Sequence, residues 1–296
     1  MTNGQMQGKI CLITGATNGI GKATALALAT MGATVVIVGR NTAKTAGVVA
    51  EIKQQIGNQP VDSLIADLSS LAQIRRAAEA FKERYDRLHV LVNNAGAMFA
   101  SRQESMDGYE MTFALNHLAY FLLTNLLLDT LKASAPARII NVSSTAHRRA
   151  RLNLDDLQSR QSYRGPAGFA AYAQSKLANV LFTYELARRL HGTGVTANVL
   201  HPGVVATGIR HVGQGLIGLL MRMQDRFAIP PEQGAETVIY LASSLEVEGI
   251  TGKYFEKCKA QRSSPASYDG KAARELWEVS ERLTGLAKET VAAELT

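Results

Sequence analysis

Short apolar runs of strand length alternate with longer segments of helical period along most of the 296-residue chain. The first run is Lys9–Ile13, followed by a helical stretch from Gly19 to Met31 and a second run at Thr34–Val38. Strand, helix, strand in that order is the βαβ unit of a parallel sheet. Further strands are expected at Val61–Ala66, Leu88–Val92, Arg138–Val142, Val195–Leu200 and Lys253–Phe255, with helices in the gaps. Runs such as VVIV and RIINV are nearly all apolar rather than alternating, as expected of parallel strands covered on both faces by helices. The pattern therefore predicts an α/β fold: a single-domain doubly wound parallel sheet of Rossmann type, with helices on both faces. No Pro/Gly/Ser linker and no internal repeat divides residues 1–296. The least regular stretches, Thr145–Gly168 and Gly208–Ile229, read as insertions near the carboxyl ends of strands, where such sheets place their ligands.

Composition narrows the function classes. An apolar fraction of 46% and a charged fraction of 19% belong to an ordinary globular protein. The two cysteines, Cys11 and Cys258, lie far apart, giving neither a disulfide framework nor a CxxC motif, so a reducing cytoplasmic setting and no metal site are expected. The segment MTNGQMQGK has no apolar signal core, and no stretch approaches the roughly 20 apolar residues that span a bilayer. A soluble protein is the expectation. The formal net charge of +7 would suit nucleic acid, a membrane surface or an anionic small ligand. Lys and Arg are spread along the chain without interleaved aromatics, which argues against a nucleic-acid groove.

Candidate chemistry concentrates at the predicted strand ends. The loop TGATNGIG, Thr14–Gly21, follows the first strand and opens the first helix, with glycines at 15, 19 and 21. Such glycines let a backbone turn sharply and approach a pyrophosphate, whose charge the helix N-terminus favours. The spacing is GxxxGxG, and Gly15, Thr17, Asn18, Gly19, Ile20 and Gly21 are the candidate cofactor contacts. An ordinary βα turn is the competing account. At the end of the second strand, where an acidic residue would bind the adenosine ribose of NAD, the chain reads Gly39–Arg40. The planar guanidinium of Arg40 matches a 2′-phosphate, which points to NADP(H). Asp67 and Leu68 follow the third strand, where a carboxylate and adjacent backbone could meet adenine; a helix N-cap is the bland role for Asp67. Asn93–Gly96 follows the fourth strand, and Asn94, Ala95 and Gly96 suit close approach to a cofactor or a plain turn.

Tyr172 and Lys176 stand four apart at the start of a strongly helical stretch and share a face. A free phenol has a pKa of about 10, and a nearby ammonium and a cationic nicotinamide ring would favour its phenolate. Tyr172 could then exchange a proton with a substrate oxygen. Ser143 and Ser144 follow the fifth strand, where one hydroxyl could bond the reacting oxygen and either could serve only a turn.

TGATNGIG, Asp67, NNAG, the asparagine of ALNHL, VSS and YAQSK in this order resemble the short-chain dehydrogenase/reductase family over nearly the whole chain. The resemblance implies a catalytic tetrad of Asn116, Ser144, Tyr172 and Lys176, with Ser143 in support and Asn116 holding a water. It also implies that Tyr172 and Lys176 contact the nicotinamide end, Lys176 through the ribose hydroxyls, and that Pro202, Gly203 and Thr207 of HPGVVAT flank the carboxamide. On that basis a cofactor half covers about 8–142 and a catalytic and substrate half about 143–296. Family members commonly pair through the helices holding Asn116 and Tyr172, which implies a homodimer or homotetramer. A non-catalytic NADP-binding sensor or scaffold is the rival, and the complete tetrad argues for the enzyme.

Within the family, SAPARIINVSSTAH, FAAYAQSKLANVLFTYELARRL, GTGVTANVLHPGVV and TGKYFEKC resemble the retinol dehydrogenase branch, as does the interval of 172 − 144 = 28 positions between Ser144 and Tyr172. That implies an apolar aldehyde, ketone or alcohol as substrate, retinal among them. Many membrane-bound members of the branch carry an N-terminal hydrophobic anchor, whereas this chain starts almost directly at the first strand. The apolar patch Gly215–Met223 reads as a substrate lid or pocket wall, as core, or as a helix making weak contact with a membrane surface through Arg222 and Arg226. His147, Arg148, Arg149 and Arg151 read as a solvated loop or as steering groups for an anionic substrate, and Lys271–Leu283 as an amphipathic helix with Trp277 in the core.

Overall fold

Eight strands form one sheet in the order β3-β2-β1-β4-β5-β6-β7-β8 in the computed structural model, which describes residues 4–57, 60–161, 163, 168–205 and 229–287. The strands are β1 (Ile10–Thr14), β2 (Thr34–Gly39), β3 (Val61–Ile65), β4 (Val90–Asn93), β5 (Ala137–Val142), β6 (Val195–His201), β7 (Tyr254–Glu256) and β8 (Lys259–Gln261). All neighbours are parallel except β7 and β8, which form an antiparallel hairpin. The expected single-domain Rossmann-type fold is the one observed.

Alternation along the strands divides the core into two layers. Leu12, Val36, Leu91, Ile139 and Ala197 face one side with α3 (Leu71–Arg84), α5 (Ala119–Leu126) and α7 (Phe169–Arg189). Cys11, Ile13, Val35, Val92 and Leu200 face the other with α1 (Gly19–Thr30), α2 (Thr42–Ile56) and α8 (Pro231–Ser243). Both faces are covered by helices, which is why these strands read as mostly apolar runs. A short helix α4 (Met111–Phe113) leads into a π-turn at Ala114–Leu118 and on into α5, and α6 (Leu128–Ala133) precedes β5. The last helix, α9 (Gly270–Thr284), lies on α7: Leu276 and Trp277 are buried, and Trp277 meets Phe121 edge-on at 4.9 Å between ring centroids.

Two expectations are corrected, and one element was not expected. Asp67 does not cap α3; its Oδ1 accepts from the N–H and the hydroxyl of Ser69 in a local turn, and Ser70 stands at the N-cap. A short carboxylate two residues from a free N–H closes that turn before the helix can begin. His147–Arg151 is not wholly a solvated loop. A 3₁₀ turn at Thr145–Arg149 turns His147 fully inward, while Arg148 and Arg149 stay exposed. The strand β8 has no counterpart among the expected elements, because its three residues are exposed and polar enough to leave no apolar signal. Thr207 and the whole Gly215–Met223 patch lie outside the described residues.

Candidate active site

The sheet order reverses between β1 and β4, so their carboxyl ends diverge into helices on opposite faces and leave a crevice above. Thr14 holds the crevice floor together. Its hydroxyl donates to the Val92 carbonyl at 3.3 Å and accepts the N–H groups of Asn94 and Ala95 at 2.9 and 3.0 Å. Asn94 returns its side-chain N–H to the Thr14 carbonyl at 2.8 Å, so its amide serves the scaffold as well as lining the crevice. Above them Gly15 has a φ of +66°, and a Cβ there would fall 2.7 Å from the Cα of Ala95. Only glycine fits that approach. The loop feeds the N-terminus of α1, where Asn18 gives no side-chain cap and no acid occupies the first turn. The N–H groups of that turn are thus available to an anion. Thr17, Gly19, Ile20 and Gly21 follow the same path, and Ile20 lines the cavity described next.

At the far end of β2, the side chain of Arg40 is 79% exposed and stands 3.6 Å from Asp67 Oδ2, with Leu68 buried beside them. An exposed pair at that distance holds weakly, so Arg40 can turn to a phosphate. The two candidates for the adenosine end are therefore neighbours in space.

The proton-transfer candidates meet at the other end, in a cavity of about 600 Å³ lined by Gly96, Ser144, Tyr172, Lys176, Pro202 and Gly203 among others. Tyr172 and Lys176 share a face of α7, and the Lys176 ammonium is 5.7 Å from the Tyr172 ring centroid and 5.8 Å from that of Tyr120. Lys176 is buried and donates to the Val142 carbonyl at 3.0 Å. Burial pushes its pKa down to about 7. Beside it Gly96 is closely packed: a Cβ would lie 3.1 Å from Asn116 Oδ1 and 3.3 Å from the lysine nitrogen, so a side chain there would push on both.

The adjacent serines differ sharply. The buried Ser143 donates its hydroxyl to the Lys176 carbonyl at 2.8 Å, tying β5 to α7. Ser144 is half-buried, lines the cavity and accepts the Ala146 N–H at 3.2 Å. That bond uses a lone pair and leaves the Ser144 O–H to donate into the cavity.

Asn116 sits inside the π-turn, a local widening that helices show most at functional sites. Its Oδ1 accepts from the Ala97 N–H, and its amide donates to the Ala97 carbonyl and to Ser175 Oγ at 3.0 Å. Ser175 in turn donates to the Tyr172 carbonyl at 2.7 Å, so Asn116 reaches the Tyr172 helix through one hydroxyl. Neither Ser175, Thr14 nor the π-turn was expected; single hydroxyls within apolar runs carry no periodic signal. Among the described residues no cluster of His, Cys, Asp or Glu could hold a metal ion, and no helix is long and apolar enough to cross a membrane.

The family model described as short chain dehydrogenase matches residues 9–154 and 156–214, and so spans this whole constellation. The chain belongs to the short-chain dehydrogenase family. Human retinol dehydrogenase 14 is 44% identical over 301 residues, covering 96% of this chain and 89% of its own length. Human retinol dehydrogenase 12 is 46% identical over 286 residues, with 96% and 89% covered. A human protein named polyprenol dehydrogenase is 44% identical over 296 residues, with 96% and 87% covered. Among solved structures, a protein from Mycobacterium Paratuberculosis superposes with a TM-score of 0.77 at 33% identity, covering 94% of each chain. The Pseudomonas aeruginosa RhlG/NADP active-site complex superposes with a TM-score of 0.69 at 30% identity, covering 90% of this chain and 100% of the other. This short-chain dehydrogenase is retinol dehydrogenase-like, an oxidoreductase that acts on alcohol and carbonyl groups with a nicotinamide cofactor. None of these relatives lends support to a sensor or scaffold without turnover.

Proposed function

We propose that the protein is an NADP(H)-dependent oxidoreductase that interconverts apolar alcohols with their aldehydes or ketones. The observation that carries this reading is the convergence of the Ser144 hydroxyl, Tyr172 and the Lys176 ammonium on one cavity. The same cavity has apolar walls at Met98, Phe169, Val204 and Val205. The cofactor residues fit the group: a glycine cradle under a bare helix N-terminus for the pyrophosphate, and Arg40 at the end of β2 for a 2′-phosphate.

When bound, NADPH supplies a hydride to the carbonyl carbon. Ser144 donates a hydrogen bond to the carbonyl oxygen, Tyr172 delivers a proton to it, and the proton moves the other way when an alcohol is oxidised. Lys176 favours the phenolate by proximity and holds the nicotinamide ribose, while Asn116 fixes the π-turn against Ser175 and the Tyr172 helix and supports a proton relay. Pro202, Gly203 and Thr207 are assigned to the nicotinamide carboxamide. A long apolar substrate suits the walls and agrees with relatives named for retinol and polyprenol. A cytoplasmic setting and a homodimer or homotetramer complete the proposal.

The test has two parts. Nicotinamide absorbance should report turnover on retinal, medium-chain aldehydes and ketones, rising with hydrophobicity; preference for small charged carbonyls would sink the substrate class. Calorimetric titration should find NADPH bound more tightly than NADH by about 1.5–3 kcal/mol, the scale of a charged hydrogen bond, and Arg40→Asp should erase the difference. Equal affinities in the unaltered protein would remove the NADP assignment.

A further inference from the structure

Two buried histidines that the reaction itself does not use flank the backbone of Ser144. His147 Nδ1 lies 2.6 Å from the Ser144 carbonyl oxygen, and its Nε2 lies 3.1 Å from the backbone N–H of Ser264. An amide N–H only donates, so Nε2 must present its lone pair, and the ring proton of a neutral imidazole must sit on Nδ1. A carbonyl only accepts, so the other contact demands the same tautomer independently. His201, at the end of β6, has the opposite assignment: its Nδ1 accepts the Thr145 N–H at 3.3 Å, which places its proton on Nε2.

The Ser144 carbonyl and the Thr145 N–H belong to one peptide plane. One imidazole therefore donates to its oxygen while the other accepts from its nitrogen. That plane sets ψ of Ser144, observed at 156°, and with it the direction in which Oγ leaves the strand end. The clamp is itself anchored. The His147 ring packs against Tyr254 of β7 at 5.0 Å between centroids, and the Arg148 guanidinium covers the same tyrosine at 5.5 Å. Burial depresses both imidazole pKa values, that of His201 to about 4, so both rings are neutral and keep single tautomers at physiological pH.

A turn alone does not require this. The 3₁₀ turn after Ser144 already satisfies the Ser144 carbonyl with the His147 backbone N–H at 3.1 Å. The imidazole occupies the second lone pair of that oxygen, which removes the remaining freedom of the plane. We propose that His147 and His201 are positioning residues for the reaction, clamping the Ser144–Thr145 peptide so that Ser144 Oγ stays aimed into the cavity. The proposal rests on the role given above to Ser144.

Its test begins with ring-nitrogen NMR of the NADPH-bound full chain labelled with ¹⁵N-histidine. The chain has six histidines, and loss of one signal set in His147→Asn identifies the ring in question. At neutral pH His147 should carry its proton on Nδ1 and His201 on Nε2. A charged His147, or one protonated on Nε2, overturns the clamp. Turnover then separates positioning from mere support. In His147→Asn the amide N–H sits near the lost Nδ1–H and can still donate to Ser144. In His147→Gln the amide reaches instead toward Ser264. The Asn variant should keep kcat within about 3-fold, and the Gln variant should lose about 10-fold or more, the worth of one good hydrogen bond, with NADPH affinity unchanged in both. Equal kcat in the two variants, or retention by Gln alone, overturns the positioning role. Should either variant fail to fold, the signal lost in the other still identifies the His147 ring, and its tautomer in the unaltered chain decides. Absence of turnover in the unaltered chain on every carbonyl tried would instead strike at the proposed activity, while those spectra would still report on the clamp.

Discussion

Ser143 and Ser144 share a side chain and a strand end yet meet different surroundings, and the difference is measurable. Ser143→Ala removes a buried donor to the Lys176 carbonyl and should lower stability by about 1 kcal/mol while leaving most turnover intact. Ser144→Ala should do the reverse, since its hydroxyl faces the cavity. Urea unfolding and single-turnover kinetics on both variants would check the pair; a larger turnover loss in Ser143→Ala would reverse the assignment. Tyr172→Phe retains the ring and deletes the hydroxyl. Turnover should fall by roughly 10²–10⁴-fold, the usual loss for a general acid–base group, with NADPH affinity little changed. Near-normal turnover, with chemistry shown to limit the rate, would overturn the role of Tyr172.

At the scale of elements, two close packings make separate predictions. Gly15→Val forces a β-branched residue into a φ of +66° against Ala95 and should destabilise the protein by about 1–3 kcal/mol, as well as abolish NADPH binding. Retained binding, followed by cofactor fluorescence, would remove the loop from the site. Trp277→Ala should cost about 3–5 kcal/mol, because the indole fills the seam between α9, Phe121 and Phe182 and carries the Arg189 guanidinium 4.1 Å from its ring centroid. Most of the seven expected strands were legible because they are buried on both faces, so apolar runs coincide with pairing; β3, at the sheet edge, reads VDSLI with Asp62 and Ser63 half-buried and Ile65 exposed. Tyr172 and Lys176 were legible for a similar reason, as helical spacing fixes which side chains share a face. Asn116 was legible as a residue but its π-turn was not, since one extra residue in a helical turn leaves the apolar pattern of ALNHL unchanged. His147 was misread because three basic neighbours masked a ring whose partners, Ser264 and Tyr254, lie more than a hundred positions away.

For the molecule as a whole, buried imidazoles set an acid limit. Burial holds His117 and His201 at about 4, whereas a histidine in the unfolded chain titrates near 6.5. Between those values the unfolded chain binds protons that the folded one refuses. The stabilising contribution is therefore complete above about pH 6.5 and is lost as pH falls toward 4. Denaturant midpoints should already fall from pH 8 to about 7, where Lys176, held at about 7 in the fold against its ordinary 10.5, takes up its proton, and should go on declining between about 6.5 and 4.5 as the histidines charge. His117→Gln should flatten part of that decline; a profile of unchanged steepness would mean that the ring is not buried neutral. His117 matters because its Nε2 meets Ser280 Oγ at 2.8 Å, linking the π-turn to α9.

The strand order has a consequence for how the chain is made. The chain supplies β2 soon after β1, but the other edge of β1 waits for β4, whose Leu91 sits beside Leu12. On the ribosome the first half of the crevice therefore exists for dozens of residues with an apolar strand edge bare to water and to neighbouring chains. A cofactor cannot shelter that edge, because the floor of the crevice proposed to hold it depends on Thr14 gripping Asn94 and Ala95. A chain released at Asp86 should collect in aggregates at any NADPH concentration, whereas one released beyond β6 should gain protection from the cofactor. Errors that stall synthesis between those points would be cleared as insoluble fragments rather than as weak enzymes.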